Sequence, residues 1–306
     1  MTKYKVWDRI DTDVKSGVEG LKENGITCLR GFPDADMLET LITKTNEMLK
    51  SPSVYGSQGY YQKDRHKKIY EAFLLGEETL SILLDDRILD IVEGYLGSKI
   101  LIQEMIVKND LGGNELYFPM HAHTGSYRTV KNQGPFSVGI MLYTHDTEQG
   151  AFCFSPGTHS WNFPHGSDPY KYPEDMQKKI FDGMRLIAGK KGDIVLFDHR
   201  GFHGPQQPVT APRTVFLGGF HNASDHGNKT KCPVAVYTTD LRVLNARQQE
   251  VLGIYSDGAI IPKEKLHYNT FQKDNPFAYK TADNVVKGYF KAQSVKGRVR
   301  NLMKGK

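Results

Sequence analysis

The 306-residue chain is 39% hydrophobic, 25% charged and 11% aromatic, a balance that excludes disordered and fibrous classes. No apolar run approaches the roughly 18 residues of a membrane span. The net charge of +5 is lodged at one end, because residues 285–306 hold seven Lys or Arg and no acid; the remaining body is slightly acidic and is not a nucleic-acid binder by charge.

The opening, "MTKYKVWDRIDTDVKSG", carries acids early and lacks the apolar stretch of a secretory signal. Cys28, Cys153 and Cys232 are odd in number and fit no CxxC pattern, so a reducing cytoplasm is the expected location. Residues 1–99 read mainly as helix. Residues 34–51 begin with acids and place Met37, Leu38, Leu41, Ile42 and Met48 near helical spacing. Residues 78–98 repeat the pattern and stop at Gly97, and between the two lies a Gly-, Tyr- and Lys-rich segment that reads as a loop.

After Ile100 the texture changes to short β runs: "ILIQEMIVK", "ELYFPMHAH", "FSVGIMLYT", "GAFCFS", "GDIVLF" and "RTVFLGGFH", separated by Gly, Pro, Asn and Asp. Helices preceding a β-rich core predict an α+β fold with a jelly-roll centre. Without an internal repeat or low-complexity linker, the expectation is one domain over 1–306. Its parts are a helical segment to residue 99, a core over about 100–222, and an extension over 223–306 that ends in the basic tail, read as a solvated terminal helix.

His121 and His123 stand one residue apart, and in a strand residues i, i+2 and i+4 face one side, so with Gly125 they would point together. His203 follows "GDIVLFDHRGF", and Arg213 lies ten residues further on. Two imidazoles from one segment and a third from a distant strand would make a facial metal site with open positions. Read singly, each histidine is equally well a buried, hydrogen-bonded one.

The order of these pieces resembles the phytanoyl-CoA dioxygenase branch of the Fe(II)/2-oxoglutarate oxygenases. That pattern has Pro-x-His-x-Asp, then G-x-x-x-x-P-G-T/S-H, then G-D-x-x-x-F, a distal His and an Arg. This chain has "PMHAH", "TEQGAFCFSPGTH" (147–159), "GDIVLFD" (192–198), His203 and Arg213, while "LKENGITCLRGFPD" is similar to the opening helix and first strand. The resemblance implies a double-stranded β-helix (jelly-roll, cupin-like barrel) core with N-terminal helices packed on it. It also implies Fe(II), 2-oxoglutarate as cosubstrate and O2, with hydroxylation of an unactivated C–H of a small molecule as the expected reaction.

Under the resemblance His121 and His203 are metal ligands and Arg213 pairs with the distal carboxylate of 2-oxoglutarate, a task suited to the planar guanidinium fork. The departure is His123, which stands where the family has Asp. In one register it replaces the carboxylate and gives a three-histidine site. In a second it is the first histidine of an "HTG" that resembles the halogenating relatives, where the missing carboxylate admits chloride. His159 in the "SPGTH" turn is expected to be a surface or loop residue of structural role, and His145, His199 and His221 to be structural or supporting.

The segment "GYYQKDRHKK" (59–68), placed over the barrel mouth by the resemblance, offers Tyr60, Tyr61, Lys67 and Lys68 as substrate-binding candidates, with an anionic substrate implied by its basic run. Two rivals remain open at this stage. A cupin-like metal enzyme without 2-oxoglutarate shares "HAH" and "PGTH", although no Glu follows at cupin spacing. A non-catalytic binding scaffold on the same fold would lack metal altogether.

Overall fold

A computed structural model describes residues 4–50, 60–63, 66–70, 72–112, 120–123, 134–161, 168–206, 211–223, 244–255 and 258–259. In chain order the principal elements are β1 (Lys5–Val6), α1 (Val14–Asn24), β2 (Ile26–Leu29), α2 (Ala35–Lys50), β3 (Tyr60–Lys63), β4 (His66–Ile69), α3 (Glu77–Leu83) and α4 (Asp86–Leu96). They continue with β5 (Ile100–Asp110), β6 (Ser137–Tyr143), β7 (Thr147–Phe154), α5 (Glu174–Gly183), β8 (Arg185–Gly189), β9 (Ile194–Asp198), β10 (His203–Pro205), β11 (Arg213–Asn222), α6 (Ala246–Val251), β12 (Ile254–Tyr255) and β13 (Gly258–Ala259). No helix among the described residues is long and apolar enough to cross a membrane.

Local chemistry sets the helix ends. Asp13 caps α1, accepting from the Ser16 N–H while Ser16 Oγ reaches back to the Asp13 N–H, a reciprocal capping box. Gly25 closes the helix in the left-handed region at φ 77°. The apolar pattern expected as one helix over 78–98 is two, because the Asp85 carboxylate accepts from the Arg87 N–H and starts α4 afresh. Gly97 ends α4, as expected.

Seven strands form one sheet in the order β2-β9-β6-β11-β5-β4-β3, and four form a second, β1-β8-β7-β10. Strand alternation divides the larger sheet by face. Val138, Ile140 and Leu142 of β6 and Phe216 and Phe220 of β11 join a core with Leu21 of α1, Leu41 of α2, Leu80 of α3, Ile88 of α4 and Val251 of α6. Met141 and Tyr143 point the other way, where Val195, Phe197 and Val215 meet Phe152, Phe154 and Ile187 of the smaller sheet. Tyr143 ties the sheets together, donating to the Ile187 carbonyl at 2.6 Å and accepting from the Phe152 N–H at 3.2 Å.

Residues 55–73 were expected to be a loop, but within them β3 and β4 form a hairpin that extends the larger sheet from β5. The run containing His121 is not a regular strand where it is described: His121 makes an isolated antiparallel bridge with His203. Gly125 and the basic tail lie outside the described residues.

Close packing of the inner face yields a prediction. A Cβ on Gly139 would sit 2.3 Å from Phe197 Cζ, inside any real contact. Gly139→Ala is therefore expected to cost about 1–3 kcal/mol by overpacking, read as a lower midpoint in urea unfolding at unchanged slope.

Candidate metal centre

His121 and His203 are clipped together by paired main-chain bonds, His121 N–H to His203 O at 3.0 Å and His203 N–H to His121 O at 2.8 Å. The His123 N–H donates to His199 O at 2.7 Å, so both histidines of "HAH" are anchored beside the β9–β10 connection. The side chains converge: His121, His123 and His203 bring one ring nitrogen each within 4.8 Å of one another. Nε2 of His121 and Nε2 of His123 are 3.1 Å apart.

The protonation state suits ligation. His203 Nδ1 lies 2.8 Å from the Gly201 carbonyl, which can only accept, so Nδ1 carries the proton and Nε2 keeps its lone pair. Burial, then the neighbouring His121, hold the His203 pKa well below the usual imidazole value. His123 is exposed as a residue, yet its ring lies among those of His121, His199 and His203. Burial of that ring and the adjacent His121 push its pKa down to about 4. Three converging imidazoles form a donor set of the kind that takes Fe, Zn, Cu or Ni, so the residues present fit a metal ion.

The loop delivering His203 is held from below. Asp198 accepts from Tyr95 Oη at 2.5 Å, from Arg200 Nη2 at 2.6 Å and from the Arg200 N–H at 2.7 Å, all buried. Thr158 of the "SPGTH" turn accepts from the Phe202 N–H at 3.0 Å and donates to Ser155 O at 2.7 Å. His159, expected near the surface, is buried against Gly25 with Nε2 3.3 Å from the Lys22 carbonyl, because the turn packs under α1 and not out into solvent. It lies outside the metal-capable cluster. Phe197 and Phe152 set their ring centroids 4.9 and 5.9 Å from that of His203, an apolar flank that excludes water.

Arg213 is buried on the inner face of the larger sheet, with Nε 2.9 Å from Asp110 Oδ2 and Nη1 on the Gly150 carbonyl at 2.5 Å. Lys108, two residues back along β5 on the same face, has Nζ 3.6 Å from Asp110 Oδ1. Two buried cations, Arg213 and Lys108, thus flank the Asp110 carboxylate on this face. Burial pushes Lys108 down to about 8, with Asp110 only partly restoring it.

The remaining candidates separate. Register puts Lys68 opposite Lys108, on the inner face, with Tyr61 as its partner on β3. Lys67 points to the other face, its Nζ 3.4 Å from Leu49 O of α2, and is not at the site. Tyr60 pairs with Ile69 by backbone register. His145 is half-buried beside Thr144, and burial lowers its pKa. His199 and His221 are buried next to the cluster, with His199 stacked on His123. Sequence reading left Lys108, Asp110 and Ser137 unassigned. The alternation Ile106, Lys108, Asp110 at the end of β5 was the available signal, since polar residues there continue an inward face.

A family model described as phytanoyl-CoA dioxygenase (PhyH) matches residues 21–213, a span that contains all three histidines and ends at Arg213. No curated protein matches the chain. Among solved structures, EctD from S. alaskensis with bound Fe is 17% identical with a TM-score of 0.57, over 72% of this chain and 81% of that one. EctD with 2-oxoglutarate and 5-hydroxyectoine is 16% identical with a TM-score of 0.56, over 72% and 80%. The epimerase SnoN in complex with Fe3+, alpha ketoglutarate and nogalamycin RO is 14% identical with a TM-score of 0.53, over 69% and 84%. These likenesses are of fold, whereas the family match covers well over half of the sequence, and the chain belongs to the phytanoyl-CoA dioxygenase (PhyH) family.

Proposed function

We propose that this protein is a non-haem Fe(II)/2-oxoglutarate-dependent oxygenase that hydroxylates an unactivated C–H of a small molecule at a three-histidine centre. The observation that carries the reading is the convergence of His121, His123 and His203 in a PhyH-family chain, supported by the buried cation pair Arg213 and Lys108 on the same inner face. From β6 to β11 the chain passes between the two sheets, with β6, β9 and β11 in the larger and β7, β8 and β10 in the smaller, and His121 bridges β10 on the open side. This supports reading the core as a double-stranded β-helix within a single domain, onto which α6 also packs.

His121, His123 and His203 would hold the iron through neutral imidazoles, and Arg213 with Lys108 would hold the far carboxylate of 2-oxoglutarate. The chemistry that iron, 2-oxoglutarate and dioxygen supply when bound is oxidation of a C–H bond. The Gly201 carbonyl keeps the proton on His203 Nδ1, and Phe152 and Phe197 keep water from one flank of the centre. A second reading is favoured by the donor set itself: with no carboxylate among the three, the ion keeps its full charge and an exogenous anion such as chloride becomes a candidate ligand, as in a halogenase-type variant.

The test is an anaerobic titration with Fe(II) and then 2-oxoglutarate, watching for the visible charge-transfer band of a chelated 2-oxo acid. A band in the wild type that is lost in His123→Ala supports the three-histidine oxygenase. Tight metal binding without a band moves the reading to a cupin-like enzyme, and no metal binding moves it to a scaffold. Repeating the titration with chloride addresses the second reading.

An anionic substrate is proposed to meet Lys68, not Lys67. Lys68→Ala is expected to raise KM roughly three- to ten-fold, the worth of a half-buried ion pair of about 0.6–1.4 kcal/mol. Lys67→Ala is expected to leave KM unchanged in the same steady-state assay.

A further inference from the structure

His199 sits in a slot that the metal-site reading does not by itself account for. Ser137 Oγ lies 2.9 Å from its Nδ1, a hydrogen bond that sets the roll of the ring. Gly139 of β6 and Gly219 of β11 are register partners. A Cβ on Gly139 would lie 2.7 Å from His199 Nε2, and one on Gly219 would lie 2.9 Å from His199 Cε1. Two neighbouring strands therefore give up their side chains at the same level, and the His199 imidazole, with the edge of the Phe197 ring beside Gly139, fills the space.

The ring in the slot has one flat partner, His123, at a centroid separation of 4.4 Å and 10° from parallel. The same two residues are joined through the main chain by the 2.7 Å bond from the His123 N–H to His199 O. His199 is not itself in the metal-capable set. Of the three residues in that set, His121 and His203 are clipped to each other by paired backbone bonds, whereas His123 is the exposed one. A free imidazole would lose rotamer freedom when a metal fixed it. A flat, immobile neighbour removes that freedom before the metal arrives.

We infer that His199 is a positioning residue: mounted in the Ser137–Gly139–Gly219 slot, it fixes the plane of His123 so that this exposed histidine can serve as the third ligand. The inference rests on the proposed metal-binding function and concerns how the site is preorganised.

Anaerobic calorimetric titration with Co(II) alone tests it on the full-length protein in wild type, His199→Ala, His199→Phe, His123→Ala and the His123→Ala/His199→Ala double variant. His199→Ala is expected to weaken Co(II) binding roughly 10- to 100-fold, the usual effect of losing a group that orients a ligand. His199→Phe, which keeps a flat ring, is expected to recover most of that loss. In the His123→Ala background, removing His199 is expected to cost less than about two-fold more, because the two act as one unit. Losses that add, or an affinity unchanged in His199→Ala, would overturn the proposal. Should His199→Ala fail to fold, Ser137→Ala is read in its place and is expected to weaken binding by roughly three- to ten-fold; no change there overturns it.

A metal-free measurement separates this inference from the reading beneath it. In NMR spectra of the apoprotein the His123 Cε1–Hε1 signal is expected to carry a ring-current shift that His199→Phe keeps and His199→Ala removes. Absence of that shift in the wild type overturns the positioning role whatever the metal does. A shift that is present in a wild type that binds no Co(II) overturns the metal-binding reading, and the role of His199 with it.

Discussion

Arg213→Ala is expected to weaken 2-oxoglutarate binding by roughly 30-fold to several thousand-fold, the consequence of removing one partner of a buried, hydrogen-bonded charge pair at about 2–5 kcal/mol. The guanidinium is buried and fastened on two sides, by Asp110 at Nε and by the Gly150 carbonyl at Nη1, so it is preorganised for an anion. Arg213→Lys retains the charge and loses that fork, and is expected to recover only part of the affinity. Fe(II) affinity, read in the same titration before the cosubstrate is added, is expected to hold in both variants. Loss of Fe(II) and 2-oxoglutarate binding together would place the effect in the fold, not in the anion pocket.

The same pocket predicts a pH dependence with a definite sign. Lys108 is held down to about 8 by burial, so it is charged below that pH and neutral above it. The group formed with Asp110 and Arg213 therefore loses one positive charge as pH rises. The 2-oxoglutarate Kd is expected to increase through this range, with the apparent midpoint above 8, because a bound anion favours the charged lysine. Lys108→Met is expected to bind more weakly at pH 7 and to lose the dependence. An unchanged slope in that variant would assign the titration to another group.

Asp198→Asn is expected to be the most destabilising of the substitutions considered. Its carboxylate is fully buried and accepts from Tyr95 and from three positions of Arg200, which is itself buried. Taking away the charge breaks the buried Asp198–Arg200 ion pair, a cost of about 3–5 kcal/mol. In calorimetry that is a loss of Tm on the order of 10 °C. Because the Gly201 N–H bonds to Asp198 O and His203 follows two residues later, metal affinity is expected to fall as well. Tyr95→Phe removes two hydrogen bonds, one to Asp198 and one from Arg200 Nη2, and no charge, and about 1–2 kcal/mol is the expected loss. If the two variants prove equally mild, the network does not anchor the loop.

The chain's amino acids determined, without reference to its fold, those features whose physics acts over a few residues. Asp13, Asp85 and Gly97 mark helix ends because capping bonds and left-handed φ are satisfied within one turn. The inward and outward faces of β6 and β9 follow from strand alternation, and the family motifs name His121, His203 and Arg213 because their order along the chain carries the pattern. What only the tertiary structure decided depends on which strand lies beside which. Register turns Lys68 inward and Lys67 toward α2, and it makes a hairpin of a run with loop-like composition. It buries His159 under α1, sets Lys108 and Asp110 beside Arg213, and aligns Gly139 with Gly219 so that His199 can lie flat on His123. Such pairings join residues tens of positions apart. They are selected by close packing and buried charge across the whole core, and no window of local sequence contains them.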